Sequence, residues 1–216
     1  MDNIFLEIEE HLLNDLKPSL FLRDFILNHI DKENPLYILK KLESILQEPK
    51  HHPEGDVFEH TMQVVDIAAK YRHLSKDKRE FMWSALLHDL GKIKATKLRK
   101  GRWTAYNHDS IGFSMTKELL EKVTSDKEFI NKVSLLVKNH MIYLYVTKNL
   151  PFGDSLKDIY KVLDLNDLFL LILSDRLGRN VTIVNKQQEI LTSLNNFIKY
   201  VDKMLNKDYN LLQLII

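Results

Sequence analysis

The sequence predicts an all-α fold, and three observations carry that prediction. Apolar residues recur at spacings of three and four along most of the 216 positions, no long stretch alternates strictly, and the six Gly and five Pro fall mostly between periodic segments. Residues 1–48 read as two or three short helices divided near Pro18 and Pro35, a small N-terminal helical addition to a domain spanning 49–216. Pro49 to Gly55 forms an irregular link. Asp56, with Glu59 three residues later, is an acidic form of the capping box and starts a helix expected to reach about Tyr71. A helix from about Lys78 to Leu90 follows, with Gly91 expected to cap it in the left-handed conformation. Gly101 to Tyr106 reads as a short extended piece or hairpin. Asn107 is expected to cap a helix to about Val123, and Asp126 one to about Tyr143. Helices at Leu165 to Leu177 and Lys186 to Leu205 complete the set, and the apolar tail LLQLII is a candidate contact between copies of the chain.

Composition narrows the chemistry. A chain with 44% hydrophobic and 28% charged residues can bury one core. With no cysteine, disulfides, iron–sulfur clusters and thiolate zinc are excluded, so any metal is held by nitrogen and oxygen. The N-terminus MDNIFLEIEEHLL is acidic where a signal peptide is basic, and no apolar run approaches the roughly 20 residues of a membrane span. A cytoplasmic protein without a membrane partner is the expectation. The net charge of +1 argues against a strongly basic nucleic-acid platform. One local patch stands out: Lys92, Lys94, Lys97, Arg99, Lys100 and Arg102 occur with no acidic residue between them, and read either as a steering surface for phosphates or as a solvated loop.

The positions of certain polar residues are more telling. His60 shares a helical stripe with Val57, Val64, Ile67 and Tyr71; His88 lies with Phe81 and Ala85, and Asp89 with Met82, Ala85 and Leu86. His140 ends a stripe of Phe129, Val133, Leu136 and Val137, and His108 stands at a helix start behind Tyr106. Asp175 closes the stripe Leu168, Leu171, Ile172 in an almost wholly apolar run, where an unpaired carboxylate costs several kcal/mol. Singly, each has an ordinary explanation: a histidine on such a stripe is usually a hydrogen-bonded core residue, and Asp175 can pair with Arg176 or Arg179. Together they form a set of inward-facing groups of metal-ligating type. His11, His29 and His73 lack this combination and read as surface or packing residues, while His51 and His52 sit in the loop beside the set and are left open.

His60, then His88-Asp89 in ALLHDLGK, then Asp175 in SDRLGR resembles the H, HD, D signature of the HD superfamily of metal-dependent phosphohydrolases. More narrowly, HHPEGDVFEHT, ALLHDLGK, GRWTAYNHDSIG, NHM and SDRLGR are similar to the HD domain of bacterial CCA-adding tRNA nucleotidyltransferases, over about residues 50–180. Residues 1–48 are too few for the nucleotidyltransferase domain, so CCA addition is not expected; many relatives also carry a glycine where Asn107 precedes His108. The resemblance implies an HD-domain helical bundle in which His60, His88, Asp89 and Asp175 bind one divalent ion, Asp89 being able to bridge to a second. His108 and His140 would bind that second ion or meet the phosphate. Catalytic roles are implied for Asp89, Lys92, His108 and His140, and substrate contacts for Lys92, Arg176 and Arg179, with phosphate favoured for only one of the arginines. Manganese, iron, cobalt, nickel and magnesium all suit such a site. The expected activity is phosphomonoesterase or phosphodiesterase action on a nucleotide, a cyclic nucleotide, another phosphorylated small molecule or an RNA terminus. A di-iron oxygenase on the same scaffold and a non-catalytic metal-containing nucleotide or RNA sensor are the alternatives.

Overall fold

In the computed structural model, which describes residues 2–179 and 184–207, helices make up nearly all the regular structure, as expected for an all-α chain. The N-terminal stretch forms α1 (Asn3–Asn14) and α2 (Ser19–Asp24), the latter running into a π turn at Phe25–His29, and then a 3-10 segment at Pro35–Ser44. Both prolines open elements rather than interrupt them: Pro18 is the N-cap of α2 and Pro35 is the first residue of the 3-10 segment, where a missing N–H costs nothing. After the 49–56 link come α3 (Val57–Tyr71), α4 (Lys78–Leu87) and the single turn α5 (Lys92–Ala95). A hairpin of β1 (Lys97–Arg99) and β2 (Arg102–Thr104) leads to α6 (His108–Val123) and α7 (Lys127–Asn139). The remainder is α8 (Ile142–Thr147), α9 (Leu156–Val162), α10 (Leu165–Leu177) and α11 (Val184–Leu205).

Side-chain caps explain most of these starts. Asp56, Asp77, Asp126, Ser155 and Asp164 each accept from an N–H two or three residues on, satisfying a donor that the helix itself leaves free. Only half of the expected box at α3 forms, because the Glu59 carboxylate turns away to pair with Arg23. The centre of the molecule is α10, whose residues from Leu165 to Asp175 are buried save Asn166. A helix apolar on every side must be surrounded, and α3, α4, α7 and α11 surround this one. The N-terminal helices enter the same core, with the Phe5 ring stacked on Trp83 at 4.5 Å and edge-on to Phe129 at 6.0 Å.

Several local expectations are corrected. Helix α4 stops at Leu87, three residues early, with His88 as its C-cap, and α7 stops at Asn139 with His140 in the same role. Gly91 has φ −64°, so it is not a left-handed cap. It is needed for close approach instead: a Cβ there would lie 1.9 Å from the carbonyl oxygen of His108 and 2.5 Å from the nitrogen of Gly112. Asn107 makes no side-chain cap bond, but takes a left-handed turn at φ 59° that puts His108 first in α6. The hairpin is present, with its first strand upstream of the predicted stretch. Helices α5, α8 and α9 are too short to show a periodicity. The tail LLQLII lies outside the described residues. Among the described residues, no helix is long and apolar enough to cross a membrane.

Because backbone rather than flexible side chain occupies the space beside Gly91, Gly91→Ala must push α6 away from the turn that carries His88 and Asp89. A loss of about 1–3 kcal/mol in urea unfolding is expected, the usual cost of overpacking. An unchanged midpoint would mean that the two segments do not meet as described.

Candidate metal centre

Five helices deliver their functional side chains to one place. His60 comes from the first turn of α3, His88 and Asp89 from the end of α4, His108 from the start of α6, His140 from the end of α7 and Asp175 from the last turn of α10. All six are buried, His60 and His88 completely. The donor atoms of His60, His88 and Asp175 lie within 4.8 Å of one another, and so do those of Asp89, His108 and His140. Asp89 faces both groups: Oδ2 is 3.7 Å from His60 Nε2 and 3.3 Å from His88 Nε2, while Oδ1 is 3.4 Å from His108 Nε2 and 3.9 Å from His140 Nε2. His60 Nε2 is 3.1 Å from Asp175 Oδ1.

The helix ends explain why the imidazoles face inward by the same atom. Nδ1 of His88 lies 2.9 Å from the carbonyl oxygen of Ala85, that of His108 is 2.8 Å from Ala105, and that of His140 is 2.7 Å from Val137. Each carbonyl takes the Nδ1 proton and leaves Nε2 with a lone pair turned to the centre. The consequence is an electrostatic mismatch that the chain alone does not cure. Among the described residues His88 Nε2 makes no aligned hydrogen bond, although Asp89 Oδ2 is 3.3 Å away, and the Nε2 lone pairs of His108 and His140 face each other at 3.2 Å. A cation relieves both, and a set of imidazole and carboxylate donors split by one two-oxygen carboxylate fits one or two divalent ions.

Local charges keep the carboxylates ionised. Burial pushes the carboxyl of Asp89 up, but the Lys92 ammonium and His88 outweigh it and hold it well below the usual range. Burial acts likewise on Asp175, and Arg179 with His60 overcomes it. Burial together with His108 and His88 lowers His140 to about 4, and burial lowers His108 too. Both rings are thereby kept in the neutral form that binds a metal.

Asp89, His108, His140 and Asp175 form the floor of a cavity of about 340 Å³ walled by Trp103, Met141, Tyr143, Leu144 and Ile172, with His60 and His88 buried outside its lining. The three candidate phosphate contacts differ sharply. Arg179 is committed to Asp175, its Nη2 lying 2.9 Å and 3.1 Å from the two carboxylate oxygens. Lys92 Nζ is 2.7 Å from Asp89 Oδ2 and 2.6 Å from Gln47 Oε1. Arg176 lies over the Tyr143 ring at 4.4 Å, and among the described residues it pairs with no carboxylate and its buried Nε has no hydrogen-bond partner. Of the open histidines, His51 and His52 both line the cavity; Nδ1 of His52 is 2.8 Å from Glu54 Oε1. His11, His29 and His73 lie elsewhere, bonded to Asp15, Asp24 and the carbonyl of Lys70.

Sequence reasoning missed Glu54, Gln47, Trp103 and Tyr143. Glu54 in a Pro-Gly loop looks solvated, yet its side chain is 0% exposed. For Trp103 the sequence offered a signal, a large aromatic in the Gly101 to Tyr106 stretch, directly after the basic run of Lys92 to Arg102.

A family model described as the HD domain matches residues 57–204. Among curated proteins, the chain is 28% identical over 148 residues to the multifunctional CCA protein of Hahella chejuensis, a match covering 65% of this chain and 33% of that protein. It is 28% identical over 143 residues to the A-adding tRNA nucleotidyltransferase of Deinococcus radiodurans, covering 64% and 31%, respectively. Against the multifunctional CCA protein of Nitrosospira multiformis it is 33% identical over 95 residues, covering 44% and 21%. The match thus spans a third or less of each of these relatives.

Proposed function

The chain belongs to the HD domain family of metal-dependent phosphohydrolases, and from that premise we propose that it hydrolyses a phosphate monoester or diester of a nucleotide, a cyclic nucleotide or an RNA terminus. The observation that carries this reading is the pair of buried donor triads joined through Asp89, beside a cavity that Asp89, His108, His140, Asp175 and Arg176 line. His60, His88, Asp89 and Asp175 would hold one ion, and Asp89, His108 and His140 a second. A donor set this rich in imidazole suits manganese, iron, cobalt or nickel better than magnesium, which prefers oxygen. When bound, a divalent ion supplies an acidified water and a Lewis acid for a phosphoryl oxygen.

The chain's own residues do the rest. Arg179 fixes the orientation of Asp175, so it is a positioning group. Arg176, in no ion pair among the described residues, takes the phosphate with its planar fork. Lys92 has two partners and keeps one N–H for a non-bridging oxygen, on which negative charge builds in the transition state. The walls of Trp103, Met141 and Tyr143 hold the apolar part of the substrate and exclude water, in a volume that admits about one nucleotide. The depressed basicity of His108 and His140 favours ligation over proton donation.

The test is elemental analysis of the purified protein with a phosphatase and phosphodiesterase panel under manganese, iron, cobalt, nickel and magnesium. Phosphate or nucleotide release stimulated by a transition ion is expected. Iron-dependent oxygen uptake without phosphate release would favour an oxygenase, and tight nucleotide binding without turnover a sensor. In the same assay, Arg176→Met should raise KM about tenfold or more and change kcat less, the signature of a lost ground-state contact to the phosphate.

The RNA-terminus branch has its own test. Lys94, Lys97, Arg99, Lys100 and Arg102 are exposed and form no ion pair among the described residues. Register places Arg99 opposite Arg102 and Leu98 opposite Trp103, so like charges sit side by side on the hairpin while Trp103 reaches the cavity. If a polynucleotide is the substrate, KM for an oligonucleotide should rise steeply with salt, and Lys97→Glu with Arg102→Glu should flatten that rise by about two counterions. Hydrolysis of a mononucleotide should be insensitive to both changes.

A further inference from the structure

Four histidines line the metal centre, and one differs from the rest in what holds its outer nitrogen. His88, His108 and His140 each have Nδ1 against a backbone carbonyl, a neutral acceptor. His60 Nδ1 instead lies 2.9 Å from Glu54 Oε1, a carboxylate oxygen. The same oxygen is 2.8 Å from Nδ1 of His52. The second oxygen, Oε2, is buried with no partner among the described residues, and the whole side chain is 0% exposed. No lysine or arginine forms an ion pair with Glu54 among the described residues.

This is an expensive way to close a loop. A carboxylate removed from water costs several kcal/mol unless strong donors meet it, and one of its oxygens has none. A Pro-Gly link needs no such group for its turn: Gly55, at φ 116°, already supplies the backbone freedom. The link is also tied at both ends without Glu54. The Gln47 amide donates to the carbonyl of Asp56, and the Asp56 side chain accepts from the N–H of Glu59 in the helix that bears His60. The backbone that carries Glu54 is therefore anchored beside His60 by other residues. A carboxylate behind an imidazole fixes the ring and its tautomer, and makes the opposite nitrogen a stronger donor than a carbonyl does.

We propose that Glu54 is a positioning residue for the metal centre, orienting His60 so that Nε2 faces the ion, with His52 as the second imidazole that anchors the shared carboxylate oxygen. This rests on the metal-site reading above. The His60 contact is close but poorly aligned for a hydrogen bond, which leaves His52 to fix the carboxylate while it adjusts to His60.

Three full-length proteins test it: wild type, Glu54→Gln and His52→Ala, each stripped of metal. Manganese binding is followed by calorimetry and the melting temperature is measured without metal. Glu54→Gln should bind manganese about 10- to 100-fold more weakly, the usual effect of removing such a partner. Its metal-free melting temperature should stay level or rise, since a buried charge with an unpartnered oxygen is gone. His52→Ala should weaken binding less than Glu54→Gln, because Glu54 remains behind His60. Wild-type affinity in Glu54→Gln overturns the proposal. So does a metal-free melting temperature several degrees lower with affinity intact, which makes Glu54 a structural residue. A wild-type protein that takes up no divalent ion overturns the metal-site reading itself, and the role of Glu54 with it.

Discussion

His88→Leu should empty the metal centre and reduce phosphohydrolysis to below about a thousandth, while the metal-free protein melts no lower than wild type. The two halves of this expectation come from one atom. His88 is 0% exposed, and its Nε2 makes no aligned hydrogen bond among the described residues, Asp89 Oδ2 standing 3.3 Å away. A buried polar atom left unsatisfied costs about 1–3 kcal/mol, so the metal-free fold carries a penalty at His88 that only an ion removes. Leucine has similar volume and no polar atoms. It gives up the bond from Nδ1 to the carbonyl of Ala85, worth about 1 kcal/mol, and removes the larger penalty. Stability should therefore be level or improved as activity disappears, the trade expected where a functional group is held against the preference of the core. Circular dichroism melts of the stripped proteins and metal content by elemental analysis decide it. Metal-stimulated hydrolysis that survives the substitution in pure protein would remove His88 from the site.

The residues that were legible in the sequence are those whose reasons are local. The bounds of α3 and α10 come from an aspartate cap at one end and an apolar run behind it, all within a few turns. Five of the six site residues stood out because each is a polar group on an apolar stripe, which their burial explains, while His108 was marked by its place at a helix start and by the family resemblance. What escaped depends on segments far apart in the chain. Gly91 is small because Gly112 and the His108 carbonyl lie against it, and a left-handed cap was the only local explanation for a glycine at that position. Glu54 is buried because α3 presents His60 beneath the loop, a contact that composition does not suggest. The division of labour between the two arginines falls between these cases. Arg179 is four residues after Asp175 and shares its helical face, whereas Arg176 is one residue on and points about 100° away, toward Tyr143. The sequence alone left open which of the two meets a phosphate.

Asp175 and Arg179 should show the opposite pattern from His88, since here the chain has built its own partner. Asp175 Oδ1 is 3.1 Å from His60 Nε2, and its two oxygens receive Arg179 at 2.9 Å and 3.1 Å. Asp175→Ala strands the guanidinium and removes a donor from the metal centre at once. Breaking a buried pair by removing one partner costs about 3–5 kcal/mol. Arg179 is 31% exposed into the cavity, so about 2–3 kcal/mol is the expectation here, with loss of metal binding. Adding Arg179→Leu should recover most of that stability and none of the metal affinity, because the stranded charge is gone but the ligand is still missing. Arg179→Leu alone separates the two partners of Asp175. In the stripped protein it leaves the carboxylate with His60 as its remaining partner and should lower the melting temperature. Manganese then supplies the missing positive charge, so the shortfall against wild type should narrow on loading. A shortfall of equal size with and without manganese would mean that the ion does not meet Asp175, and that the carboxylate serves the Arg179 pair alone.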